Sequence, residues 1–283
     1  MYYRKDAFEA AGIDPEEAFH DWDSLAAAAE KMAVKENGET VFFGWEPMAG
    51  SANLKDIAFS NGASVLSEDG TKVLLDSEEW IESWESIRKW IHDDEIMTIH
   101  FGGDGWEYWY KTIDDVMQNR AAGYIGSNGD QGDLDFTQIA AHIQPGFGDH
   151  EPSPTADSIT CGIIAKASDE QKEAGFKWLS YLTGTKGTST LAMKSGYAPV
   201  RSSAAEDPEF KKYLEENPQA AVPLQQAEIA QMNFIDPTGG KIDQAIQDAA
   251  DLVEIENVPA EEALKKAQKT AQDALDEYLA QQN

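Results

Sequence analysis

Short apolar runs that end in glycine-bearing polar loops alternate with amphipathic helical stretches along this chain, and a nearly all-helical tail follows. That alternation restricts the fold to layered α/β, because each apolar run must be covered by the helix that follows it. The apolar runs are Val41–Phe43, Ala121–Ile125, Ile139–Ile143 and Ile159–Ile164, and all four are expected to be strands. Val65-Leu66 and Val73-Leu74-Leu75 flank Glu68-Asp69-Gly70, a hairpin signal. Asp21 is placed to cap a helix with apolar face Leu25, Ala28, Ala29 and Met32. Ser77–His92 carries Trp80, Ile81, Trp84, Ile87 and Ile91 on one stripe, and Trp106–Asn119 is expected to bury Trp109, Ile113, Val116 and Met117. Ser168 with Gln171 forms a capping box for a helix through Tyr181, and a further helix runs near Gly187–Lys194. From Asp207 onward, Pro208–Glu216, Val222–Ala230, Lys241–Ile255 and Pro259–Leu279 read as helices.

Apolar residues make up 41% of the 283 positions, enough for a packed core. No apolar run approaches the roughly 18 residues of a membrane span. Lys and Arg total 22 against 52 for Asp and Glu, a net charge of −30. A field of that sign repels phosphate backbones and anionic membranes, so nucleic acid is excluded as the natural partner. Four of the basic residues are Arg, leaving few guanidinium forks to clamp an anion. The lone Cys161 lies in an apolar stretch and is expected to be a buried small hydrophobe. After Met1 the chain passes directly into Tyr2-Tyr3-Arg4-Lys5-Asp6, which reads as a strand entering a helix. No signal-peptide pattern is present, so either the protein stays inside the cell or its true N-terminus lies upstream.

Catalytic and metal signatures fail in turn. His-Glu-x-x-His and Gly-x-Ser-x-Gly are absent, and no two histidines stand four apart. Gly239-Gly240-Lys241 is followed by Ile242 where a P-loop needs Ser or Thr, and Asp130–Asp135 lacks the glycine and glutamate of a calcium loop. No cofactor and no metal-ligand set is therefore expected. Carboxylates are too abundant to single out a hydrolytic pair, and a solvated acidic face is the simpler reading of each. Trp80, Trp84, Trp109 and Trp178 sit on helical stripes and are expected in the core. Trp45 differs, lying in the glycine-containing loop Gly44–Ser51 just after an apolar run. Ligands of open α/β sheets bind beyond the carboxyl ends of strands. The loops after Phe43 and Ile125 are at that address, and Phe234–Lys241 joins them if it faces the same cleft. Aromatic faces combined with Ser, Asn and Asp suit a neutral polyol or sugar; ordinary surface loops are the competing reading.

An ordered set of segments resembles the extracellular solute-binding proteins of ABC transporters, family 1. Tyr2-Tyr3-Arg4-Lys5-Asp6-Ala7-Phe8-Glu9-Ala10-Ala11-Gly12-Ile13 is similar to that family's Y-Y-N-K-D-x-F-x-x-A-G-L, and Asp21-Trp22-Asp23-Ser24-Leu25 to its T-W-D-E-L. Met117–Tyr124, Phe176–Thr183, Ser195–Arg201 and Val258–Leu264 resemble its F-x-x-G-x-A-A-M, A-x-x-F-L-x-F-L, T-G-Y-L-P-V-R and T-x-E-E-A-L steps. The resemblance implies a type II periplasmic-binding-protein fold of the maltose-binding kind, exported as a periplasmic protein or cell-surface lipoprotein and working as a monomer. It implies capture of a carbohydrate between two lobes and delivery to ABC permease subunits, with no catalysis. On this reading the chain is a fragment lacking most of the N-terminal lobe and the export segment. Residues 1–162 form the α/β part of the C-terminal lobe, 163–200 belong to the N-terminal lobe, and 201–283 return to the C-terminal lobe, with hinge crossings near Met1, Cys161 and Arg201. Such a fragment is expected to bind weakly or not at all.

The site positions follow the motif. Tyr197 matches the tyrosine of T-G-Y-L-P. Ser127, Asn128 and Asp130 fall in the loop after the strand, and Trp45, Met48 and Ser51 where members carry a stacking aromatic. Asp157 and Ser158 fall near the second hinge; Thr238, Gly239 and Lys241 fall before the penultimate helix. Glycerol-phosphate members carry an Arg beside that last loop, and no Arg follows Arg201. Lys241 supplies at most a point charge there. A neutral sugar is thus favoured over glycerol 3-phosphate or a glycerophosphodiester, with a secreted carbohydrate-active hydrolase as the remaining alternative.

Overall fold

A computed structural model describes residues 1–282. In chain order its regular elements begin with β1 (Tyr2–Arg4), α1 (Lys5–Ala11), α2 (Pro15–Ala18), α3 (Trp22–Met32), β2 (Val34–Glu36), β3 (Glu39–Phe42), α4 (Ser51–Ser60), α5 (Glu78–His92) and α6 (Glu107–Met117). There follow β4 (Gly123–Tyr124), β5 (Ile139–Ala141), β6 (Thr155–Ala156), α7 (Asp169–Leu182), α8 (Thr185–Ser195), α9 (Pro208–Glu216), α10 (Val222–Ile229), β7 (Gln231–Met232), α11 (Lys241–Glu254) and α12 (Ala260–Gln282).

The central sheet has β1 in the middle, antiparallel to both β4 and β5, with Tyr2 facing Tyr124 on one side and Ala141 on the other. Phe43 and Glu46 bridge in parallel to Ala121 and Tyr124, and Trp45 bridges Met97, so the segment 43–46 extends the sheet beyond β4. Helices cover this sheet because their apolar stripes meet it. Trp22, Leu25 and Ala29 of α3 and Trp80, Trp84 and Ile87 of α5 are completely buried. So are Ile246, Val253 and Leu264 of the α11–α12 pair. The buried indoles are also anchored: Trp80 Nε1 donates to Ser64 O at 2.9 Å and Trp84 Nε1 to Leu54 O at 3.0 Å.

Local signals correspond closely. Asp21 Oδ1 accepts from Ser24 N at 2.7 Å, and the Ser168–Gln171 box closes in both directions. Leu66 pairs with Val73 across a turn in which Gly70 takes φ 68°. Three sequence expectations are corrected. Val41–Phe43 is not a buried strand: β2 and β3 form a surface ribbon turning on Asn37-Gly38, both at positive φ, and Val41 is exposed. Ile159–Ile164 forms no strand; nothing among the described residues pairs with it, and Ile159 and Ile164 are exposed. Cys161, in that segment, is exposed rather than buried, in an open groove that the segment shares with α7.

Apolar burial falls into two clusters. The large one draws on residues 1–147 and 234–279, whereas Ala192, Ala204 and Phe210 form a small one with Met193, Tyr213, Leu214 and Leu224. Helix α7 contributes to neither with a buried residue, and Phe176, Trp178 and Tyr181 stand exposed along it. Trp178 is therefore not a core residue among the described residues.

Candidate ligand-binding cleft

A cleft of about 900 Å3 opens where the sheet ends and the loops of both halves of the chain converge. Six of the twelve positions read from the sequence line it: Met48, Ser51, Ser127, Asn128, Asp157 and Tyr197.

The loop after β4 is held by Asp130, which is buried beneath it. Asp130 accepts from Ser127 N at 3.0 Å, Trp109 Nε1 at 3.0 Å and Tyr124 Oη at 3.1 Å. Burial pushes its carboxyl above the usual range, against the opposing effect of those donors. Asp130 thus supports the wall and does not line it. Tyr2 Oη donates to Ser127 O at 3.0 Å, and Tyr197 packs so near Gly129 that a Cβ there would lie 2.9 Å from its hydroxyl oxygen. Ser127, Asn128 and Tyr197 are brought together by these contacts.

The opposite wall is the start of α4 and the loop before it. Asn53 Nδ2 donates to Met48 O at 2.6 Å, Ser51 N to Gln247 Oε1 at 3.2 Å, and Gly50 N to Glu254 Oε2 at 2.9 Å. Gln144 Nε2 donates to Asp56 Oδ2 at 3.0 Å, whereas Gln144 Oε1 is buried at the cleft without a partner, an acceptor suited to a ligand hydroxyl.

Glu254 gives this wall a pH dependence. Burial raises its carboxyl from 4.5 to about 8, against the Gly50 N–H. The folded state therefore favours the protonated acid. Its stabilisation is complete below pH 4.5 and is lost as pH rises toward about 8, by on the order of 1.4 kcal/mol per pH unit. Glu254→Gln, permanently neutral, is expected to remove that loss; urea titrations of both proteins in mildly acidic and mildly alkaline buffer check it, and an unchanged difference between the two conditions would contradict it.

Trp45 does not reach the cleft. It is completely buried, edge-on to Phe19 at 5.6 Å, and its ring lies against Gly123. Thr238, Gly239 and Lys241 serve the start of α11 instead. Asp236 Oδ1 accepts from Thr238 N at 2.7 Å, Asp236 Oδ2 accepts from Ile242 N at 2.8 Å and Asp243 N at 3.0 Å, and Lys241 pairs with Glu277 at 2.6 Å. Ser158 is exposed outside the lining. The aromatic wall comes from Phe101, Trp106, Tyr108 and Trp109, none of which the sequence reading placed at the site. Trp106 is 65% exposed. The available signal was Gly102-Gly103-Asp104-Gly105, which breaks the chain just before α6 and leaves its first turn outside the core.

Residues 1–219 match the model of a family described as bacterial extracellular solute-binding protein. The chain belongs to that family. Its curated relatives include the sn-glycerol-3-phosphate-binding periplasmic protein UgpB of Brucella abortus, 26% identical over 235 residues, covering 80% of this chain and 52% of the relative. The chain thus spans about half the length of such relatives. Among solved structures, UgpB from Mycobacterium tuberculosis in complex with glycerophosphocholine superposes with a TM-score of 0.80 at 18% identity, over 98% of this chain and 69% of that one. Maltose-bound MalE3 of T. maritima gives 0.79 at 21% identity, over 95% and 68%. The fold of this family member is accordingly the α/β fold of type II periplasmic binding proteins. Among the described residues no helix is long and apolar enough to cross a membrane.

Proposed function

We propose that the chain supplies one side of a cleft that captures a neutral, polyhydroxylated solute, a sugar or oligosaccharide, for an ABC importer. The carrying observation is the chemistry of the wall. Trp106, Trp109 and Tyr197 offer ring faces, amides and hydroxyls surround them, and the lining includes no lysine or arginine. Ring faces suit the apolar side of a pyranose, and the polar groups suit its hydroxyls. A phosphate would meet Asp56, Asp157 and Asp251 with no lysine or arginine side chain in the lining to offset them.

The solute is released unchanged to permease subunits, and the protein works outside the cytoplasm, free in the periplasm or lipid-anchored. In this reading 1–162, 163–200 and 201–283 alternate between two lobes that close on the ligand, closure being driven by its higher affinity for the closed form. Support comes from α7, whose exposed Phe176, Trp178 and Tyr181 resemble a packing face. The second reading, a glycerol 3-phosphate or glycerophosphodiester ligand, is favoured by the likeness to UgpB.

Saturation-transfer NMR, which detects weak binding, separates these readings when maltose, glycerol 3-phosphate and glycerophosphocholine are compared. Transfer to the sugar alone is expected; transfer to the phosphates alone would overturn the sugar assignment, and release of reducing sugar would replace binding with hydrolysis. Trp106→Ala should weaken sugar binding by about 0.5–1.5 kcal/mol, a few-fold to tenfold in Kd, with Tm unchanged because the ring is exposed. An unaltered Kd would remove Trp106 from the ligand.

A further inference from the structure

Outside the cleft lining, the fold gathers three residues that are remote in sequence: Glu46, His100 and Asp115. One ligating atom from each lies within 4.8 Å of the others. Glu46 belongs to the bridge beside β4, its backbone N donating to Gly123 O at 2.9 Å and its carbonyl accepting from Ile125 N at 3.2 Å. The residue is 0% exposed, and its carboxyl faces that of Asp115, with no backbone N–H, lysine or arginine bonded to either oxygen. An ionised carboxylate buried in this way is unfavourable by several kcal/mol unless something neutralises it. His100 Nε2 lies 2.7 Å from Asp115 Oδ2, and the two side chains are 31% and 15% exposed, so the cluster has an approach from solvent.

The surrounding charges favour a cation. Arg120 is the basic residue facing the cluster. Its Nε lies 2.5 Å from Asp115 Oδ1 and its second amino nitrogen 2.5 Å from Asp114 Oδ2, so its charge is shared between two carboxylates. Glu46 feels that charge only at a distance and makes no direct ion pair with it.

We propose that Glu46, His100 and Asp115 form a binding site for a divalent transition-metal ion, Zn2+ in particular. One imidazole nitrogen with two carboxylate oxygens is a donor set for Zn2+, Co2+ or Mn2+, whereas Ca2+ and Mg2+ favour oxygen alone. Ligands stand about 2.0–2.2 Å from zinc, so the cluster contracts on binding and His100 exchanges its bond to Asp115 for one to the ion. Arg120 then orients Asp115 from outside. The site has a structural role. Glu46 precedes the cleft wall at Met48, His100 precedes Phe101, and Asp115 lies on α6 with Tyr108 and Trp109. One ion therefore ties the Met48 side of the cleft and its aromatic residues to the sheet. Sequence spacing gave no hint of it, because the ligands come from three separate segments.

The test titrates chelator-treated protein with Zn2+ and with Co2+ in excess Mg2+, which occupies exposed carboxylates. A single tight equivalent by calorimetry, a rise in Tm and visible Co2+ absorption bands are expected. His100→Gln and Glu46→Gln should each weaken binding by more than the roughly 10–100-fold typical of losing an outer-shell partner. Absence of the Co2+ bands and of the Tm rise would overturn the proposal. So would equal affinity in His100→Gln, which would assign the binding to surface carboxylates. His100 is partly exposed, so this variant keeps the test decisive even if Glu46→Gln does not fold.

Discussion

Trp45→Ala should lower the free energy of unfolding by about 3–5 kcal/mol, the range for removing a fully buried large aromatic. The surroundings leave little room for collapse. The ring lies over Gly123, where an added Cβ would come within 2.2 Å of it, and the Trp45 backbone bridges Met97. Two paired segments cannot both shift inward without losing their register. The cavity should therefore persist, placing the effect toward the upper end. Urea denaturation measures it. A variant with unaltered stability but lost sugar binding would put Trp45 at the ligand after all, whereas the exposed Trp106 is expected to show the opposite pattern.

Asp130→Ala should destabilise by roughly 3 kcal/mol or more. Three donors, Trp109 Nε1, Tyr124 Oη and Ser127 N, lose their acceptor, and each donor left buried and unpaired costs about 1–3 kcal/mol. Asp130→Asn keeps one acceptor oxygen and should fall between. Amide exchange should accelerate first across 126–132, because Asp130 also closes the capping box of that turn. Full retention of stability in the alanine variant would mean that water replaces the carboxylate. Loss of ligand binding in Asp130→Ala follows from a collapsed wall, since the side chain itself lies beneath it.

The parts of this structure legible in advance were those set by neighbours in sequence. The caps at Asp21 and Ser168, the turn at Gly70 and the stripe through Trp80 and Trp84 each depend on residues a few positions apart. The glycine-rich loop after β4 was legible because strand ends in α/β sheets deliver loops to clefts. Long-range pairing was not. Trp45 stands among glycines and looks like a loop residue, but its segment is bridged to the edge of the sheet and its ring is buried. Thr238 and Gly239 look like a ligand loop, but Asp236 binds them into the cap of α11. The strand expected at Ile159–Ile164 had the right composition and no partner, which no local pattern reports. Conversely, Glu46, His100 and Asp115 meet only through tertiary packing.

The bare aromatic side of α7 also dictates how this molecule behaves in a vial. A net charge of −30 keeps copies apart in dilute buffer. Raising the ionic strength from about 0.1 M to 1 M shrinks the reach of that repulsion from about 10 Å to about 3 Å, while the attraction between rings survives. Concentrated salt, the usual remedy for stickiness, would then bring on precipitation, and dilute buffer would be the safer storage.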